Sequence, residues 1–371
     1  MGPAEELADT QRCQLIDELA NLVDNTPVNS ATWACLWFGD IERIRELVHV
    51  LKLNKDVEDI VHTSVTSYLR SDSATNMLKA WAMLYDPETS ENLDHKGDDK
   101  EDDTKFKEAT SRKRRRDASR SRSPSKIPRL TCGNMSDTLA QEETENILLP
   151  DINTGSTTKA TSSSDDDCEE TAERLCCERD QKACLLTGFR EPLEIGYICP
   201  FSFDQHKETD NLFWKTQHFF WSKERVNAWK QEVLGPNGTQ VCSNSVCFVN
   251  LALSLWENAR FALRPLALSE DRKRLTVEFH WLPAHAYRRS RLINTRPDAF
   301  PINLSSYIVG GKDAAMLFDI HTKSELRSGD KLTFLTSDPD GHPLPSMELL
   351  QMQWILNRVL ALSGVAEPRY K

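Results

Sequence analysis

Between residues 87 and 180 the sequence carries one aromatic side chain, Phe106, although the 371-residue chain has nine tryptophans. Trp33, Trp37 and Trp81 precede this stretch; Trp214, Trp221, Trp229, Trp256, Trp281 and Trp354 follow it. A core needs large apolar side chains to offset the entropy of ordering the backbone. The chain is therefore expected to fold at its two ends and to stay disordered in the middle. The charges follow the same division. Asp98, Asp99, Glu101, Asp102 and Asp103 form an acidic run, and Asp165, Asp166 and Asp167 form another. Between them lies the basic block Arg112, Lys113, Arg114, Arg115 and Arg116, with Arg120, Arg122 and Lys126 just after it. The formal net charge of −11 is thus an average over opposite blocks and says little against a polyanionic partner. Three zones are predicted: a small helical domain at 1–86, a disordered charged linker at 87–180, and a second folded domain at 181–371.

Several classes are excluded. No apolar run reaches the ~18 residues of a membrane span, so no membrane partner is expected. The stretch Met1 to Asp9 is acidic and has no apolar centre, so no signal peptide is expected. The ten cysteines then read as reduced thiols of an intracellular protein. Cys176, Cys177, Cys184 and Cys199 cluster, with Cys242 and Cys247 further on, but no Cys-x-x-Cys pair occurs. Such pairs let one turn offer two thiolates to a zinc ion. The cysteines are accordingly expected to act as small buried apolar groups.

In the first zone Ile41, Ile44, Leu47, Val48 and Leu51 recur at helical spacing. Val57, Ile60, Val61 and Tyr68 mark a second helix; Met77, Leu78, Trp81 and Leu84 mark a third, which Asp86-Pro87 ends. The basic block from Arg112 to Arg116 sits in a segment of low hydrophobicity and reads as a nuclear-import signal. The serines among the following arginines are phosphorylation candidates, and each phosphate would weaken the block by about −1.5 to −2 charges. A nuclear location is expected.

In the last zone, residues 182–202 hold an apolar stretch, a Gly188 turn and a second apolar stretch, which predicts a β-hairpin. Leu251, Leu255, Asn258 and Ala259 follow a helical period, which predicts a helix starting near Asn250. The order of residues here resembles the HNH nuclease domain in its fungal form. The resemblance rests on Cys184, Thr187 and Gly188; on Ile198, Pro200, Phe201 and Ser202; on Asn244 and Trp256; and on Arg260, Phe261, Ala262 and Pro265, with Arg264 where the family has Lys. It extends through a strand at Leu275 to Trp281 and a C-terminal part ending near Gly364, about half the chain. It implies an α+β fold: a ββα-metal core with added strands and a C-terminal helix, after the helical domain and the linker.

The resemblance also implies what the chemistry should be. One histidine takes a proton from the attacking water, and a divalent metal held by a hairpin and the following helix polarises the phosphate. The Asn orients the backbone or the base. Here the base position is Tyr197 and the helix histidine position is Leu253; Asn244 is retained. Tyrosine, with an ordinary pKa of about 10, is a poor general base at neutral pH, and leucine has no lone pair for a metal. The expectation is a catalytically impaired HNH-type protein, without a cofactor, that keeps a nucleic-acid or protein binding role. DNA is the candidate partner, through Arg260 and Arg264; no sequence feature names a protein partner. The alternative is an active endonuclease in which Asp204 and His206 hold a divalent metal and supply the base.

Overall fold

In this computed structural model the described residues are 3–53, 60–83, 164–199, 207–236, 238–283, 285–304, 308–309, 312–313 and 315–365. The fold is of the α+β class. It is built around one helix, Met347–Ser363, which is buried from Leu349 to Ser363 except at Gln351. A helix that is apolar on every side has to be enclosed on every side. Ser346 starts it by accepting a hydrogen bond from the Leu349 amide at 3.3 Å, and Gly364, at φ +71°, ends it in the left-handed conformation.

The elements enclosing this helix come from both ends of the chain. The N-terminal part supplies α1 (Pro3–Ala8), α2 (Thr10–Leu22), α3 (Ser30–Phe38), α4 (Ile41–Leu53), α5 (Ile60–Arg70) and α6 (Ser73–Met83). The C-terminal part supplies α7 (Ser164–Arg179), β1 (Leu193–Tyr197), α8 (Lys207–Phe220), α9 (Lys223–Leu234), β2 (Ser245–Val249) and α10 (Asn250–Glu257). Strands β3 (Phe261–Leu268) and β4 (Arg274–Trp281) follow, then the short β5 (Ile308–Val309), β6 (Lys312–Asp313), β7 (Phe318–Asp319) and β8 (Ser324–Glu325), then β9 (Lys331–Leu335). The helix at Met347–Ser363 is α11; it packs on α3, α6, α9 and β3. Helix α4 buries Ile44, Leu47, Val48 and Leu51, as its period predicts. In α5, by contrast, Ile60 is exposed and Leu69 is the buried residue.

The described residues of the N-terminal and C-terminal parts fall into one compact unit. The helices at 3–83 and the segment from 164 on therefore share one core, where a separate helical domain at 1–86 was expected. The reason is α3. All nine of its residues are buried, with Asn29 capping it through the Thr32 amide at 2.9 Å. A helix so apolar needs more cover than α2 and α6 supply, and α11 provides it. Indole hydrogen bonds cross the junction: Trp33 Nε1 donates to Thr295 O at 2.7 Å, Trp37 Nε1 to Ile293 O at 3.0 Å, and Trp81 Nε1 to Asn357 Oδ1 at 2.8 Å. In the reverse direction Trp221 Nε1 donates to Phe38 O at 3.0 Å.

Two further expectations are corrected. The polar stretch up to residue 180 was expected to be linker, yet its end forms α7, with Ala172, Cys176, Arg179 and Asp180 buried. Among the described residues of 182–202 the expected hairpin does not form as such. Residues 184–189 make a closed turn, Cys184 N to Phe189 O and Gly188 N to Cys184 O, both 2.8 Å. Strand β1 then pairs antiparallel with β2, in the register Leu193 opposite Val249 and Tyr197 opposite Ser245. The main sheet has the order β3-β4-β9, all antiparallel, and β4 covers the strand predicted at Leu275 to Trp281. The basic block at Arg112 to Arg116, and the rest of 84–163, lie outside the described residues.

Candidate functional site

The residues of the resemblance meet where β1, β2 and α10 come together. Strand side chains alternate between faces, and the two faces of the β1-β2 pair meet different helices. Gly196, Val246 and Phe248 face α10; a Cβ built on Gly196 would stand 2.6 Å from Phe248 Cδ2 and 3.1 Å from Leu253 Cδ1. Glycine here lets the helix lie directly on the strand. Ile195 and Cys247 face α7, together with Cys176 and Cys242. Helix α10 begins at Asn250, as its period predicts.

Asn244 closes the site. It is fully buried just before β2, and its side chain makes three hydrogen bonds. Its Oδ1 accepts from the Cys199 amide at 2.8 Å; its Nδ2 donates to Cys199 O at 2.6 Å and to Thr239 O at 2.8 Å. Its backbone carbonyl accepts from the Ile198 amide at 2.8 Å. The amide thereby pins the segment that follows β1 to the segment that precedes β2.

The two replaced positions are occupied by packing contacts. The Tyr197 hydroxyl donates to Glu173 Oε1 of α7 at 2.7 Å, and its carbonyl accepts from Trp256 Nε1 at 3.0 Å. Leu253 is 9% exposed and lies against Gly196 on the opposite face. The Tyr197 hydroxyl therefore turns toward α7, away from Leu253. Asp204, His206, Pro200, Phe201 and Ser202 lie outside the described residues.

The two arginines have separate surroundings. Arg260 is half-buried at the turn between α10 and β3, where its backbone amide reaches Leu255 O at 2.8 Å. Arg264 stands opposite Glu278 in the β3-β4 register and pairs with it at 3.2 Å. Glu278 also accepts from His280 Nε2 at 2.8 Å. Burial pushes the Glu278 carboxyl up, but the His280 and Arg264 contacts hold it below its ordinary value. Burial beside the Trp354 ring pushes His280 down. Arg264 is thus half-buried and paired to a carboxylate. Exposed basic side chains cluster instead at Arg272, Lys273 and Arg274 and at Arg288 and Arg289, with Arg272 paired to Asp340 at 2.6 Å.

The α7 face of the β1-β2 pair holds a group that sequence reading missed. Arg179 and Asp180 are both fully buried and pair at 2.6 Å. All five guanidinium hydrogens have an oxygen partner: Nε to Asp180 Oδ1 at 2.6 Å, NH2 to Asp180 Oδ2 at 3.0 Å and Ser245 O at 2.7 Å, NH1 to Cys242 O at 2.9 Å and Pro343 O at 3.0 Å. Cys176, Asp180 and Cys247 bring potential metal-ligating atoms within 4.8 Å of one another, and Cys247 Sγ is also 3.8 Å from Cys177 Sγ. The donor types suit a soft ion. However, Asp180 Oδ2 already accepts from Arg179 and from the Cys247 amide at 2.9 Å. The carboxylate is committed to the guanidinium and the strand. The Cys176-Cys177 doublet beside Arg179-Asp180 was the sequence signal for this cluster, masked by the acidic stretch before it.

No family model, no curated protein and no solved structure matches the chain.

Proposed function

We propose that this chain is an HNH-type scaffold that has lost its nuclease chemistry and serves in the nucleus as a nucleic-acid-binding module. One observation supports the reading. Asn244 lies buried between β1 and β2, after the helices α8 and α9 and before α10, and the two positions where the resemblance has imidazoles hold Tyr197 and Leu253, both spent on packing. A tyrosine hydroxyl donating to a carboxylate is not poised to take a proton from water. A leucine against a glycine offers no metal ligand. Binding needs less: basic side chains on a surface suffice for phosphate contacts. Exposed Arg272, Lys273, Arg274, Arg288 and Arg289 supply them, in place of the half-buried Arg264. The block from Arg112 to Arg116 would carry the chain into the nucleus.

Two measurements test this. Supercoiled plasmid is incubated with the full chain and Mg²⁺, Mn²⁺ or Zn²⁺; the expected result is no nicking. Metal-dependent nicking that disappears in the double variant Asp204→Ala, His206→Ala would overturn the reading in favour of an active endonuclease. A gel-shift salt titration is expected to show binding that weakens steeply with salt. No shift at low salt would refute the binding role, and unchanged nuclear signal in an alanine variant of Arg112 to Arg116 would refute the import role.

A further inference from the structure

A cavity of about 410 Å³ lies where α2, α9, β3 and α11 approach the start of α4. Four arginines from four different elements line it: Arg12, Arg225, Arg264 and Arg358. The guanidiniums of Arg358, Arg12 and Arg225 are only partly spent on the described residues. Arg358 is held flat between two rings, 4.3 Å from the Phe38 centroid and 4.0 Å from that of Trp354. Its Nε donates to Trp354 O at 3.1 Å and its NH1 to Glu6 Oε2 at 2.7 Å; its NH2 bonds to nothing among the described residues. Arg12 is buried; its NH1 donates to Trp37 O and Gly39 O at 3.1 and 2.7 Å, its NH2 faces Glu6 Oε1 at 3.8 Å, and its Nε, also buried, has no partner among the described residues. Arg225 uses Nε alone, on Asp40 Oδ2 at 3.1 Å.

The opposing charges are fewer. Glu6, Asp40 and Glu42 line the cavity, but Glu42 is exposed and reaches Arg45 at 3.9 Å. Glu278, from the neighbouring strand, covers one face of Arg264. Four guanidiniums thus meet Glu6 and Asp40 in the cavity, with Glu278 behind. Buried N–H groups without acceptors are costly. A tetrahedral oxyanion satisfies several forks at once, which is why converging arginines recognise phosphate. Trp354, Phe38 and Ile355 add an apolar wall, and the volume falls in the range of small-molecule sites.

We propose that this cavity binds a phosphate group, the oxygens taken by Arg12, Arg225, Arg264 and Arg358. The group arrives either as free inorganic phosphate or on a small organic molecule. This site is separate from the Asn244 site and does not depend on the HNH reading.

The test uses the full chain with two probes, inorganic phosphate and adenosine monophosphate, and with adenosine as the uncharged comparator. Titration calorimetry and thermal melting are read for the parent chain and for Arg225→Gln, Arg264→Gln and the exposed Arg327→Gln. The first two side chains are partly exposed, so the variants are expected to melt within a few degrees of the parent. At least one phosphate probe is expected to bind and raise Tm, adenosine is expected to do neither, and each cavity variant is expected to lose at least about tenfold in affinity. Arg327→Gln should bind as the parent does. Whichever probe binds more tightly names the source. No binding of either probe at about 10 mM, or binding that Arg225→Gln and Arg264→Gln leave unchanged, overturns the proposal.

Discussion

Replacing Asn244 by alanine should cost the fold more than most single substitutions. The change removes three hydrogen bonds and leaves the Cys199 N–H, the Cys199 carbonyl and the Thr239 carbonyl without that partner. Cys199 is 0% and Thr239 2% exposed, so water does not reach them readily. An orphaned buried polar group costs about 1–3 kcal/mol. Three buried groups that each lose one hydrogen bond, less some relaxation into the vacated space, give an expected loss of about 2–4 kcal/mol. For a unit of this size, a urea m-value of about 3 kcal/mol/M converts this to a midpoint lower by about 1 M. Tryptophan fluorescence follows the transition, since all nine indoles lie in the two folded segments. Asn244→Asp is the sharper comparison. It keeps an acceptor for the Cys199 amide but turns the donor that faces two carbonyls into a second acceptor, so it should be at least as damaging as alanine. A loss below about 1 kcal/mol for alanine, or a milder effect for aspartate, would refute the claim that this amide holds the two segments together.

Three further outcomes follow from the geometry. Gly196→Ala forces a methyl to within 2.6 Å of Phe248 and should destabilise by about 1–3 kcal/mol, while Gly329→Ala, where no atom lies within 4 Å but φ is +99°, should cost strain alone; urea midpoints separate the two. Asp180→Ala strands the buried Arg179 guanidinium and should cost about 3–5 kcal/mol, whereas removing both charges together as Arg179→Met, Asp180→Leu should cost less than the two singles combined, read by a double-mutant cycle. Burial pushes the Glu6 carboxyl up, but Arg358, at 2.7 Å, with Arg12 and Arg264 holds it below its ordinary value of 4.5. A carboxyl depressed in the folded state contributes stability that is complete above its unfolded value and is lost as pH falls through the folded one. Stability should therefore drop on acidification below about pH 4.5, and Glu6→Gln should flatten that drop in acid titrations followed by fluorescence.

Local periods were legible in the sequence, and partners across the chain were not. Ile44, Leu47, Val48 and Leu51 declare the buried face of α4, and the start of α10 at Asn250 follows from four spaced residues. These signals lie within a few residues of each other. Strand β1 was readable as apolar, but its partner β2 lies some fifty residues on, and a period of two does not say what a strand pairs with. Helix α7 was hidden because Asp165 to Asp167 and the surrounding serines dilute a narrow stripe of Ala172, Cys176 and Arg179; burial against β2 makes that stripe fold. At the candidate site, Tyr197, Asn244 and Leu253 were found by position. Glu173, which takes the Tyr197 hydroxyl, and Glu278, which pairs with Arg264, come from pairings that only the fold supplies.

Helix α11 has a consequence for biogenesis. Helix α3 emerges early from the ribosome, yet the surface it must cover is synthesised roughly 300 residues later, on the order of tens of seconds at ~5–20 residues per second. During that interval Trp33, Trp37 and Phe38, all buried in the finished molecule, lack the cover that α11 later gives, with only α2 and α6 of the helices that pack on α3 made early. A nascent chain in this state offers a hydrophobic helix to chaperones and to other nascent chains alike. Shortening the chain before Met347 would make that exposure permanent, so a truncated product should be captured or degraded and not accumulate as a smaller folded protein.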